Sequence, residues 1–544
     1  MSELTVIEEM TDVEILTVAN EPPSGTEKFS SASPLLRAPK NVDALHHPHA
    51  DKTDVGNVAL LAQLTDGDMK YVSAWACWIV WDGLRWQKDN GGTAVHQRCL
   101  QVSRHYMEES IDFLRKSKEM NTPDHLLEEM KKKSDEALKW AKQCLNKPKL
   151  DALRALAERS TEFHLDAGLV DADPLLIGVL NGVVDLCTGL LHPASKDQYV
   201  LKTAKVKFNA NATAPRWEKF VEEITSYAEK SDVETLVSRT RPELANYVQK
   251  ALGYSITGKT NEQVMFIATG SGSNGKSVLL DTFQSINGDY CKPMQAEVLM
   301  SAKMDRNPEQ ASPSIKALAG ARCAISSESK VGQRLDTALI KAHTGGGTIT
   351  ARALHENLVE FEMTHKLWLM TNTVPDVEHM DDALKGRLHI IPFDMRWNRP
   401  GTTYVDPALP TADKSLMDSL KDESEGIFLW LVRGAMLYLN DGLSPPSEVT
   451  AMTRSYIEEQ DTVRRWLGTL VECQVTDGLL AIDLFASYEK FCNAEGEPIA
   501  LKNASALGKE LGRRGIQKAR TRNGARYSIR GQLQHETKAA VDTD

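Results

Sequence analysis

The sequence predicts an α/β fold, and three stretches carry that prediction. Val264-Met265-Phe266-Ile267-Ala268-Thr269 is a short apolar run, followed by the Gly/Ser-rich residues 270–275 and a helix-compatible run from Lys276. Two more short apolar runs, 322–328 and 366–372, end in polar residues. Residues 502–530 turn basic and read as a helix followed by two short strands. A chain of 544 residues holds roughly three domains on length alone.

Composition narrows the class. A hydrophobic content of 41% with 26% charged residues is ordinary for a water-soluble globular chain. The sequence has no apolar run long enough for a bilayer and no signal-like start, so no membrane association is expected and the location is read as cytoplasmic. The eight cysteines are scattered without a C-x-x-C pair, which argues against a zinc ribbon or a disulfide framework. With a net charge of −11, any nucleic-acid contact must come from local basic patches or from a ring of subunits.

In chain order, residues 1–53 are acidic, then Ser/Pro-rich, then His46-His47-Pro48-His49, with no apolar period; they read as a disordered tail. An N-terminal α/β domain is expected over 54–215. It opens with a short helix over 58–64, preceded by Asp54-Val55-Gly56-Asn57. Trp75, Trp78, Trp81 and Trp86 then surround a hairpin with Asp82-Gly83 at its turn. These rings would either stack bases or fill a small core, and core filling is the expectation. Residues 95–160 are helical in pattern, with Lys131-Lys132-Lys133 on a solvated face. Asp171 and Asp173 form a D-x-D pair, but no third carboxylate is placed by sequence to complete a metal site.

The core is expected over 216–446. Gly270-Ser271-Gly272-Ser273-Asn274-Gly275-Lys276-Ser277 fits G-x-x-x-x-G-K-[ST], the phosphate loop of P-loop NTPases. Its glycines let the backbone turn its N–H groups inward, and the unpaired N–H groups of the following helix add positive charge. Lys276 would reach the β- and γ-phosphates of ATP, and the Ser277 hydroxyl would ligate Mg²⁺. The helix is expected to end at Asn287-Gly288. The run 322–328 ends in Glu328, the acid such a site needs beside the γ-phosphate, for Mg²⁺ and for the attacking water. The run 366–372 ends in Asn372, whose amide could touch the same water.

Gly270 to Ser277, Ser327-Glu328, Thr344-Gly345-Gly346, Ile349-Thr350-Ala351-Arg352, 366–372 and Asp381 through Phe393 together resemble the superfamily 3 helicases, in particular the phage/plasmid primase-helicase family related to the poxvirus primase-helicase. Asn181 to Gly189 and Pro215-Arg216-Trp217 resemble that family's domain ahead of the ATPase, and Gly426 to Leu431 its helical tail. The resemblance implies an AAA+-like ATPase assembling as a ring, usually a hexamer, around single-stranded or forked DNA. It implies 3′-to-5′ unwinding in phage, plasmid or mobile-element replication, within a bacterial host cytoplasm if phage-encoded. It also implies that Lys276, Glu328 and Asn372 act at the nucleotide, and that Arg387 is an arginine finger entering the neighbouring subunit's site.

Three positions depart from the family pattern. Ser327 stands where relatives place a first acid, and Gly347 where an Asp often follows two glycines. Glu356 stands near the usual DNA-tracking lysine, which leaves His355, Arg352 or Lys341 to face DNA phosphates. No primase half precedes residue 54, so primer synthesis is expected from a separate primase or polymerase. Over 447–532 a winged-helix-like DNA-binding domain is expected, with Tyr456, Asp461, Trp466, Leu484, Tyr488 and Phe491 suiting core positions. Its wing turn is expected at Asn523-Gly524, and Arg513, Arg514 and Arg520 are candidate DNA contacts. Residues 533–544 read as a second disordered tail.

Overall fold

The computed structural model describes residues 52–118, 123–230, 236–301, 312–327, 333–351, 359–377, 380–401, 403, 405–407, 409–496, 499 and 501–531. Residues 1–51 and 533–544 of the expected tails, with Glu328, Arg352, His355 and Glu356, lie outside the described residues. The chain divides into two compact units, one comprising residues up to 172 with 181–202, the other 173–180 with everything from 203.

The first unit joins helices to a small antiparallel sheet. Its first helix runs over Asp54–Thr65, longer than expected, because the Thr53 hydroxyl caps it by accepting from the Gly56 N–H. Helices Thr93–Lys116, Asp124–Cys144 and Lys147–Ala157 follow. Strands Met69–Val72, Cys77–Trp81 and Trp86–Lys88 pair antiparallel in that order. The hairpin loop spans 82–85, held by the Asp82 carboxylate, which accepts the N–H groups of Leu84 and Arg85. Trp78, Trp81 and Trp86 are buried, so three of the four indoles fill the core; Trp75 is half-buried under the Lys88 ammonium. Lys131, Lys132 and Lys133 are exposed. The Asp171 carboxylate accepts the Leu201 and Lys202 N–H groups, which gives it a turn-closing role.

The second unit is built on a five-stranded parallel sheet. Its order is Cys291–Pro293, Cys323–Ser327, Lys366–Thr371, Met265–Thr269, Leu388–Pro392. Parallel strands are covered on both faces, which is why these segments are near-continuous apolar runs. Lys366–Thr371 is buried throughout despite opening on a lysine. The Lys366 ammonium donates to the carbonyls of Thr257, Thr364 and Lys259, and the Arg322 guanidinium to that of Ile256. Of these carbonyls, those of Ile256 and Thr257 close helix Pro242–Ile256, where the dipole favours positive charge. That helix crosses Ser424–Asp441 very closely. A methyl group on Gly253 would lie 2.1 Å from the Gly434 carbonyl carbon, so only glycine fits at the crossing.

The same unit ends in a small domain with helices Thr462–Leu467, Ala481–Glu495 and Ala504–Arg513. A hairpin, Lys518–Thr521 with Gly524–Tyr527, follows, and Ile529–Gly531 pairs with Leu470–Glu472. Trp466, Leu484, Tyr488, Leu507, Leu511 and Tyr527 form its core, with Phe491 partly buried against it. Three details differ from expectation. Arg522-Asn523 makes the turn, and Gly524 already begins the return strand. Asp461 is a helix cap rather than a core residue, its carboxylate accepting the Arg464 N–H, while Tyr456 is buried in the core of the large sheet.

Candidate nucleotide site

The Gly-rich loop leaves the carboxyl end of Met265–Thr269, one strand in from the sheet edge. Ligands of open α/β sheets bind in the crevice outside these carboxyl ends. Gly270, Gly272 and Gly275 have φ of 157°, 95° and 80°, and Ser273 has φ 51°, so the loop coils in a conformation that L side chains rarely adopt. A side chain at Gly275 would meet Ile224 Cγ2 at 2.4 Å; helix Pro215–Thr225 packs directly under the loop. Helix Lys276–Asn287 starts at Gly275, capped at its far end by Gly288 as expected, and aims its unpaired N–H groups at the loop. This combination suits an anion.

The two neighbours of the loop strand decide what surrounds it. On one side Thr371 aligns with Thr269, bringing Asn372 to the loop; a methyl on Gly272 would lie 3.8 Å from the Asn372 Oδ1. One strand further, Ser327 aligns with Met370, so Cys323–Ser327 ends at the same level, the position after it being Glu328. On the other side Pro392 aligns with Thr269, and the Phe393 N–H donates to the Thr269 carbonyl at 2.9 Å.

Lys276 is 6% exposed. Its ammonium donates to the Gly270 carbonyl at 2.6 Å and to the Asn274 Oδ1 at 2.8 Å. The Asn274 amide nitrogen in turn donates to the Phe393 carbonyl at 2.8 Å. Burial lowers the Lys276 pKa to about 8. Ser271 and Ser277 are exposed, Ser277 one residue into the helix, where its hydroxyl could take a divalent cation.

Sequence reasoning missed the segment after Phe393. The Trp397 N–H donates to the Ser273 carbonyl and the Arg399 Nε to the Ser273 Oγ, both at 2.9 Å. Buried Asn398 holds this segment by donating to the Asp406 and Leu409 carbonyls at 2.7 Å. Arg399 thus brings a second cation to the loop. The only signal in the sequence is an Asn-Arg pair in an irregular stretch, which carries no motif.

Arg387 lies elsewhere. It precedes Leu388–Pro392, at the end of the sheet opposite the loop, and donates to the Thr344 hydroxyl at 2.9 Å. Lys341 is taken by Asp381 in an ion pair. Thr348–Ala351 pairs with Val359–Glu362, whose Glu360 and Glu362 are exposed. In the C-terminal domain Arg513 and Arg520 are exposed, as are Lys509, Lys518 and Arg522. Arg514 is not available in the same way: its guanidinium grips the Asp461 carboxylate at 2.8 and 2.9 Å and the Glu510 carboxylate at 3.0 Å. Its charge is committed to joining two helices of the domain; the Glu510 partner sits at helical i,i+4 spacing, but the Asp461 partner, 53 residues away, is one that sequence spacing could not reveal.

Residues 58–226 match the protein-family model described as D5 N terminal like. The chain is 27% identical over 333 residues to "Putative helicase L207/L206" of Acanthamoeba polyphaga mimivirus, covering 59% of this chain and 33% of that protein. It is 24% identical over 254 residues to "Putative helicase 022R" of Frog virus 3 (isolate Goorha), covering 44% and 25%. The matches therefore span a quarter to a third of the length of these relatives. Among solved structures, the apo NrS-1 C terminal region has a TM-score of 0.36 at 10% identity, covering 60% of this chain and 79% of that one.

Proposed function

We propose, from the premise that this chain belongs to the D5-type primase-helicase family, that it is an ATP-dependent DNA helicase of superfamily 3 acting in replication. One observation carries the reading. The parallel sheet brings the Gly-rich loop, Asn372 and the end of the strand preceding Glu328 to one edge. In this proposal the loop and Lys276 bind the triphosphate, with Ser277, Glu328 and water holding Mg²⁺, which neutralises charge on the phosphates. Glu328 and Asn372 orient the attacking water.

Arg387 is assigned to the neighbouring subunit's site in a ring, which we take to be hexameric. Its strand has five residues, so roughly 16 Å separate it from its own loop at about 3.3 Å per residue, beyond an arginine's reach. The helices and hairpin of the C-terminal domain support a winged-helix reading, with Arg513, Lys518 and Arg520 touching DNA phosphates.

A second reading is favoured by exposed Glu360 and Glu362 on the hairpin, since acids there oppose a tracking contact with DNA. In that reading the protein is a DNA-binding initiator or regulator whose ATPase controls assembly. Strand displacement on a forked duplex separates the two. A helicase unwinds it with ATP, and Lys276→Ala and Glu328→Gln both stop unwinding, Glu328→Gln while still binding ATP. DNA-stimulated hydrolysis with no displacement on any fork would favour the regulator.

A further inference from the structure

We infer that the cavity walled by Tyr227 and Arg241 is the subsite for the nucleotide's base, and that it favours a base bearing an exocyclic amine, as adenine does; this rests on the proposed use of the Gly-rich loop for a triphosphate. The sheet order sets the direction in which a nucleotide must lie. Asn372 and the strand preceding Glu328 stand on one side of the loop, so the terminal phosphate faces that side. The rest of the molecule leaves in the opposite direction, over Leu388–Pro392, the edge strand. Strands are about 4.8 Å apart, so the base falls one to two strand spacings away, at or just beyond that edge.

The residue after Phe393 leads to the cavity. The Asp394 carboxylate accepts from the Arg241 guanidinium at 2.7 Å, and that guanidinium lies 4.4 Å from the centre of the Tyr227 ring. Tyr227 begins the strand that follows helix Pro215–Thr225, the helix whose Ile224 packs under Gly275. The loop and the cavity therefore share two supports, this helix and the end of the edge strand. The cavity measures about 540 Å³ and is lined by Tyr227, Thr240, Arg241, Pro242, Glu243 and Glu448. Small-molecule sites range over about 300–1,000 Å³.

The lining suits a base and not a phosphate. Arg241 is paired with Asp394, and the remaining charged groups on the wall, Glu243 and Glu448, are carboxylates that repel phosphate. A phenol ring and a guanidinium plane offer flat faces on which a base stacks. Carboxylates are acceptor-only, so they favour a base that presents an exocyclic amine.

The test compares two ligands on the full chain, ATP and inorganic tripolyphosphate, by calorimetry. Tyr227→Ala should weaken ATP about tenfold or more, as loss of aromatic–base stacking does, and leave tripolyphosphate unchanged. Tyr227→Phe should bind ATP like the wild type. In the wild type UTP, whose base lacks the amine, should bind more weakly than ATP, and Glu448→Gln should narrow that difference. Unchanged ATP affinity in Tyr227→Ala would overturn the inference while leaving the loop's role intact. Equal loss of both ligands would also overturn it, because the tyrosine would then act on the loop. Wild type that binds neither ligand would bring down the triphosphate reading itself, and the base subsite with it.

Discussion

The retracted position of Lys276 has a pH signature. The ammonium is nearly buried and, among the described residues, donates to two oxygens, Gly270 O and Asn274 Oδ1; burial lowers its pKa to about 8. A bound triphosphate replaces lost hydration with negative charge and raises that pKa again. By linkage, binding then takes up a proton, and affinity declines as pH rises through the free protein's value. With a pKa of about 8 the lysine is roughly three-quarters charged at pH 7.5 and about 3% charged at pH 9.5, so ATP affinity should fall roughly 25-fold between them. Phosphate oxygens with a second pKa near 6 are already ionised over that window and add little slope.

The assay is calorimetric titration with ATP at pH 7.5, 8.5 and 9.5 at constant ionic strength. Lys276→Arg, which stays charged, should flatten the profile even if its affinity is lower. A wild-type affinity constant within twofold across the range would refute the reasoning, since the lysine would then keep its ordinary pKa despite burial. The same group acts in the opposite sense on folding. Its depressed pKa means the unfolded chain binds more protons between pH 8 and 10.4, so this contribution to stability grows as pH rises through that window.

Four further outcomes are expected. Arg387→Ala should assemble and bind ATP without hydrolysing it, and mixing it with Lys276→Ala should restore part of the activity; no recovery in any mixture, with assembly intact, would count against action between subunits. Reversing Arg513, Lys518 and Arg520 to Glu should weaken DNA binding and flatten log K against log salt by roughly 2 to 3, whereas Arg514→Ala should lower the melting temperature of the C-terminal domain by breaking its contacts to Asp461 and Glu510. Gly434→Ala places a methyl 2.4 Å from the Gln249 carbonyl oxygen and should destabilise the second unit by about 1–3 kcal/mol, read as a lower urea midpoint.

Much of this protein is legible in sequence because local rules decide it. The Gly-rich loop needs positive φ at fixed positions, and three of the four, Gly270, Gly272 and Gly275, are glycines that supply it without strain, Ser273 being the fourth. Strands buried on both faces read as near-continuous apolar runs, so 265–269, 323–327 and 366–371 announce themselves despite Lys366 and the serines that end 323–327. The bulky indoles of Trp78, Trp81 and Trp86 likewise mark a core, because so much apolar surface in one short stretch has to leave water. What the sequence could not determine is which strand lies beside which. Insertion of Lys366–Thr371 between Met265–Thr269 and Cys323–Ser327 brings Asn372 to the loop, and Leu388–Pro392 on the other side brings Phe393, Trp397 and Arg399. Charge is the clearest case of the tertiary structure deciding. Arg514 and Arg520 look alike in a basic run, and Lys366 looks like a strand flank. Only the folded chain puts Asp461 within reach of Arg514, leaves Arg520 in water, and gives Lys366 three carbonyls, because a cation's role depends on which distant oxygens surround it.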